Sequence, residues 1–199
     1  MKVFFNNQDY ALYVELLKES CTKAGTDIWA YCLMPNHVHL LLTPSHEDGL
    51  RAALGEAHRR YTRYINSRED WRGHLWQERF HSFVLDDLHL VDCARYVELN
   101  PVRAKLVPVP EDWIWSSARA HLKGSDDQLV ATKKMLNVAP NWGEMLQQDV
   151  TSKMLNTLRQ HSRTGRPLGG DDFVETVEKI TGRSLKKRKP GPKGRQSKC

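Results

Sequence analysis

The sequence predicts an α+β domain: a short antiparallel sheet covered by helices. Three observations predict it. Residues 27–34 and 37–43 are two runs rich in β-branched, aromatic and aliphatic residues, separated only by Pro35-Asn36, which is the spacing of a tight hairpin. Residues 8–24 and 49–67, on either side, carry apolar residues at helical spacing. A further alternating run at 77–85 and a capped helix after it complete the later part of a βαββαβ order.

The elements follow in chain order. The helix over 8–24 places Leu12, Val14, Leu16 and Leu17 among polar residues, and Gly25 suits its C-terminal end. The hairpin comes next. The helix over 49–67 presents Leu50, Leu54, Tyr61, Tyr64 and Ile65 on a broad face. Trp71–Trp76 contains Gly73 and reads as a loop. Gln77–Leu85 alternates enough to be a strand. Asp86 or Asp87 can cap a helix through about Leu99, where Pro101 forbids simple continuation. Asn100-Pro101 can open a second short helix through Leu106, because proline suits a first helical turn. Beyond Asp112, residues 115–122 and 143–161 read as helices, 163–170 as a turn-rich segment and 171–181 as a last helix. The expected sheet is ferredoxin-like or RRM-like, with its helices on one face. Such a sheet needs a strand before the first helix. Only Val3-Phe4-Phe5 is available for it, so the first strand is expected to be missing and its neighbour's backbone to lack partners.

Composition narrows the class of protein. A chain of 199 residues with 40% apolar residues can bury one core of ordinary domain size and carry extensions. No apolar run approaches the length needed to cross a bilayer, and MKVFFNNQDY resembles no secretory leader. The four cysteines, Cys21, Cys32, Cys93 and Cys199, show no CxxC spacing and read as reduced thiols of a cytoplasmic protein. The net charge of +6 is concentrated at one end. Residues 183–199 hold eight Lys/Arg and no Asp/Glu, which leaves 22 basic against 24 acidic residues over 1–182. A tail rich in Lys, Pro and Gly cannot bury a core and reads as disordered. Its charge suits contact with nucleic-acid phosphates.

His37 and His39 lie two apart on a strand and therefore share a face. Two neutral imidazoles so placed can share a divalent ion. Alone, a His-x-His of this kind is more often structural, and Leu41 leaves any third histidine unfilled. Tyr96 and Asn100 are spaced i, i+4, on one side of a helix. By spacing alone they are better described as a core tyrosine before a helix-ending Asn-Pro.

The combination is more specific. YCLMPNHVHLLL (31–42), GHLWQERF (73–80) and RYVELNPVRAKLV (95–107) occur in this order and separation. Together they resemble the single-tyrosine HUH transposases, most closely those associated with repetitive extragenic palindromes. The resemblance covers residues 1 to about 122, and more loosely the GRPLG-plus-basic tail. It implies a catalytic domain over 1–122, a helical extension over 123–182 and a basic tail over 183–199.

The resemblance also assigns roles. It makes Tyr96 the nucleophile, His37 and His39 metal ligands, and Asn100 a third, amide-bearing ligand, with Glu98 or Gln77 as alternatives. The implied reaction is cleavage and rejoining of single-stranded DNA at hairpins through a 5′-phosphotyrosine. Mg²⁺ or Mn²⁺ would be the cofactor, neutralising charge on the scissile phosphate. A hairpin DNA-binding protein without transposition activity is the other reading. DNA contacts are expected from Arg59, Arg60, Arg63, Arg72 and Arg79, and from Lys186, Lys187, Arg188 and Lys189 in the tail. The competing description of the 58–64 cluster is a helix with core tyrosines and a solvated arginine face. Trp113, Trp115 and Trp142 read as packing residues. The implied partner is a single-stranded DNA hairpin in a cytoplasmic, nucleoid-associated setting, with no membrane. Relatives of this kind act as homodimers or alone.

Overall fold

Asn6 starts the first helix by accepting a hydrogen bond from the Asp9 amide. That helix, α1 (Asn7–Lys23), ends before Gly25, whose φ of +57° is the left-handed conformation a turn into a strand requires. The computed structural model describes residues 2–77, 79–148 and 150–186. Lys187, Arg188 and Lys189, and the disorder expected of the tail beyond Lys186, lie outside the described residues. Strands β1 (Thr26–Met34) and β2 (His37–Pro44) pair antiparallel, with Met34 opposite His37 and Cys32 opposite His39. Helix α2 (Gly49–Glu69) follows and packs on α1.

The expected hairpin and both flanking helices are present within a residue or two of their sequence bounds. Two features of the sheet differ from expectation. Among the described residues the sheet has two strands. Residues 79–85 form no strand: Leu85 makes a single parallel bridge to Leu168, while Phe80 packs on one core and Phe83 on the other. A strand needs a free backbone edge beside it, and the groups here bond to the 168 turn, through Leu168 N–H to Val84 and Asp86 N–H to Leu168. Helices also cover both faces, not one. Ile28, Tyr31, Leu33, Val38, Leu40 and Leu42 face α1 and α2. Ala30, Cys32, Met34 and Leu41 face the helices that follow.

The second layer begins with α3 (Leu90–Glu98), preceded by a short 3₁₀ turn that Asp86 caps at the His89 amide. A four-residue α4 (Asn100–Arg103) follows, with Pro101 in its first turn as the sequence suggests. The rest consists of α5 (Ala118–Lys123), α6 (Thr132–Val138), α7 (Trp142–Gln147), α8 (Ser152–Thr164) and α9 (Asp171–Thr181). The helix expected over 143–161 is thus two helices, interrupted around residue 150, and α6 was not foreseen. Met135, Trp142, Leu146 and Leu158 from this region need an apolar partner, and the second sheet face supplies it.

The N-terminal segment and the edge of β1 are arranged differently from the expected first strand. Val3 and Phe4 are buried, and both their amides donate to the Pro35 carbonyl at the hairpin turn. The Tyr61 hydroxyl donates to the Val3 carbonyl, 2.7 Å. The outer edge of β1 is covered by residues 113–117, of which 115–117 were expected to be helical. Leu33 N–H donates to Trp115 O, Ser117 N–H to Tyr31 O, and Trp113 Nε1 to Leu33 O. These bonds occupy much of what an absent neighbouring strand would leave unpaired.

Candidate active site

The hairpin register brings His37 and His39 to the face that packs on α3, because they stand opposite Met34 and Cys32. Their rings meet edge to face, with Nε2 atoms 3.0 Å apart. Asn36 Oδ1 accepts from His37 Nδ1 at 2.7 Å. That bond puts the His37 proton on Nδ1 and leaves Nε2 as a lone pair.

The separation of the two Nε2 atoms fits one ion. Two adjacent ligands of an octahedral cation, each about 2.1 Å away, stand roughly 3 Å apart. His39 is suited to this use. Burial, then His37 and the positive charge of Arg103, push its pKa down to about 3. His37, nearer the surface, is also lowered by burial. Both imidazoles are therefore neutral at pH 7. Among the described residues no group of three His, Cys, Asp or Glu converges, so further ligands would have to be an amide oxygen, water or phosphate.

Tyr96 lies in the same place. On α3 its ring meets that of His39 edge to face, with centroids 5.7 Å apart. Nucleophile candidate and imidazole pair thus come from one chain. Asn100 sits one turn on, and its Nδ2 donates to the Tyr96 carbonyl at 3.2 Å, leaving Oδ1 as the amide's other polar atom.

Glu98, an alternative ligand on sequence grounds, is on the other side of the helix and fully buried. It accepts from Ser117 Oγ, from His121 Nδ1 at 2.6 Å and from Trp142 Nε1 at 2.8 Å. Two residues along a helix turn a side chain by about 200°, which takes it away from His39. Gln77 is exposed in the loop before residue 79.

The arginines expected to hold DNA are dispersed. Arg59 pairs with Glu56 and Arg60 with Glu19, on the α1–α2 layer across the sheet from Tyr96. Arg63, Arg72 and Arg79 are exposed. Lys186 pairs with Glu175. In the same cluster Tyr61 is core, while Tyr64 is 39% exposed. Trp142 is buried, and Trp115 stacks on Tyr10 with centroids 4.9 Å apart, so both are packing residues as read.

One residue beside Tyr96 was not predicted from the sequence. Arg103 places its guanidinium carbon 4.3 Å from the centroid of the Tyr96 ring, within cation–π range. Its Nη2 donates to the Tyr96 carbonyl at 2.6 Å. Helical periodicity gave no signal for it, because α3 ends at Glu98 and Arg103 closes the separate α4.

Residues 1–100 match the family described as Transposase IS200 like. A Haemophilus influenzae protein named "Putative REP-associated tyrosine transposase" is 28% identical over 117 residues, covering 53% of this chain and 66% of the relative. The alignment thus spans a little under two thirds of that protein's length. No solved structure matches the chain. With half the chain matched, including the strand that carries both histidines and the helix that carries the tyrosine, the protein belongs to the IS200-like transposase family.

Proposed function

We propose that this protein nicks and rejoins single-stranded DNA at hairpins, with Tyr96 as nucleophile. The observation that carries the reading is the meeting of the His37–His39 pair with the Tyr96 ring within one chain. His37 and His39 would hold Mg²⁺ or Mn²⁺, with Asn100 Oδ1 as third ligand. The ion, when bound, neutralises charge on the scissile phosphate and aligns it.

Tyr96 Oη attacks the phosphorus and the P–O3′ bond breaks. The phenolic proton is lost to solvent, and the departing 3′ oxygen takes up a proton. The products are a 5′-phosphotyrosine and a free 3′-hydroxyl. The covalent bond conserves the phosphoester, so the 3′-hydroxyl of another strand can attack it and release Tyr96. Because one chain supplies both histidines and the tyrosine, the reading requires no second protomer. The exposed arginines and the basic tail would add salt-dependent affinity for the strand.

The test is a covalent adduct on a denaturing gel. The probe is a pool of 3′-labelled single-stranded oligonucleotides carrying imperfect hairpins with randomised flanks, incubated with Mn²⁺ or Mg²⁺. An adduct is expected with the native chain and none with Tyr96→Phe or with chelator. An adduct that survives Tyr96→Phe removes Tyr96 from the role. Hairpin binding without any adduct favours a binding protein that does not cut.

A further inference from the structure

Arg103 is a half-buried cation with no carboxylate partner among the described residues. Its Nη1 is shielded from solvent and has no hydrogen-bond partner. The positive charge of Arg159, on α8, also acts on Arg103. Burial lowers the pKa of Arg103, while attraction to Tyr96 raises it. The same charge reaches His39. Guanidinium, nucleophile ring and metal-pair imidazole therefore share one small volume.

Proteins rarely leave a buried donor unspent or a buried charge unpaired. The planar guanidinium fork matches a phosphate's oxygens. Resting on the proposed phosphotransfer reading, we infer that Arg103 is the phosphate-binding residue of the site. A small shift of the side chain, with the guanidinium kept beside the Tyr96 ring, uncovers the unpartnered Nη1 to take a non-bridging oxygen of the scissile phosphodiester. Charge accumulating on the phosphoryl oxygens during attack then meets a cation held beside Tyr96, the kind of stabilisation that gives electrostatic catalysis its size. The bond from Nη2 to the Tyr96 carbonyl fixes the guanidinium relative to the nucleophile's own backbone.

Two readouts separate this role from simple packing. In the adduct assay above, Arg103→Gln is expected to slow adduct formation about 10²–10³-fold, the usual loss of one transition-state donor. Arg103→Lys, which keeps the charge and loses the fork, is expected to fall between it and the native rate. In a Tyr96→Phe background, where nothing is cut, affinity for the same oligonucleotides is measured against salt. Adding Arg103→Gln is expected to lessen the slope of log K on log salt by about 0.7, one single-strand phosphate contact. Arg103→Gln with native adduct rate, or with an unchanged salt slope, overturns the inference. Should Arg103→Gln fail to fold, Arg103→Lys decides, and a native rate there overturns it too. If the native chain forms no adduct, the cleavage reading fails by itself. The salt slope then still tests whether Arg103 holds phosphate.

Discussion

The burial of Glu98 allows a quantitative prediction. Its carboxylate is fully buried and gathers three donors: Ser117 Oγ beside the β1 edge, His121 Nδ1 on α5 and Trp142 Nε1 on α7. Ser117 Oγ in turn accepts from the Tyr31 amide of β1 at 3.0 Å. Glu98→Ala strands three buried donors, each worth about 1–3 kcal/mol when unsatisfied. Allowing for relaxation and water entry, the loss should be about 3–5 kcal/mol, a large part of a stability that is usually about 5–15 kcal/mol. Glu98→Gln keeps the shape but turns an NH₂ toward a donor, and should cost about 1–3 kcal/mol. Urea unfolding followed by tryptophan fluorescence measures both. At an m-value of about 2 kcal/mol/M, a 2 kcal/mol loss moves the midpoint by about 1 M. The cycle with Trp142→Phe should show a coupling of about 0.5–3 kcal/mol. A Glu98→Ala midpoint within about 0.3 M of the native value, or no coupling to Trp142, would refute the reasoning.

Further predictions concern the His37–His39 pair and pH. Asn36→Ala removes the bond that holds the proton on His37 Nδ1. It should weaken Mn²⁺ binding by about 10–100-fold in a calorimetric titration, whereas an unchanged affinity would mean that the His37 tautomer is set elsewhere. His58 contacts the Tyr13 hydroxyl at 2.9 Å and stacks on Trp76, and burial pushes its pKa down to about 4. Between pH 6.5 and 4 the unfolded state therefore takes up a proton that the folded state refuses. The stability held above pH 6.5 is lost as pH falls, by up to about 1.4 kcal/mol per unit from this group. His58→Phe should flatten the dependence of the urea midpoint between pH 7 and 5. Superimposable slopes for the two proteins would count against the burial of a neutral His58.

The histidine pair was legible in the sequence because a strand's period of two places His37 and His39 on one face. Tyr96 was singled out because three motifs occur together, and its ring meets that of His39. The side chains supporting it were not. Glu98 stood in the sequence only as an alternative ligand, and its buried role emerges once Ser117, His121 and Trp142 are seen to converge on it from later in the chain. Arg103 sits past a helix break, so no single helical face links it to Tyr96.

Sheet phase was also partly hidden. Ile28 is paired with Leu42 and Ala30 with Leu41, so Trp29 is an extra residue in β1. Such a bulge puts Ile28 on the opposite face from Ala30, although alternation alone would place them together. The run at 79–85 misled for a related reason. Alternation reports which side chains are buried, and Phe80, Phe83 and Leu85 are drawn to cores without a strand partner.

The cover on the β1 edge has a consequence for synthesis. Tyr31 and the Ser117 that pairs with it are 86 residues apart in the chain. At ribosomal speeds of about 5–20 residues per second, the hairpin precedes its cover by about 4–17 s. During that interval Tyr31 and Leu33 offer an unpaired edge to any neighbouring extended chain. The nascent protein thus passes through a window of aggregation risk that closes only when residues 113–117 dock. A substitution such as Ser117→Pro, which removes the amide that bonds to Tyr31, would lower the yield of soluble protein through that window as well as through the folded state.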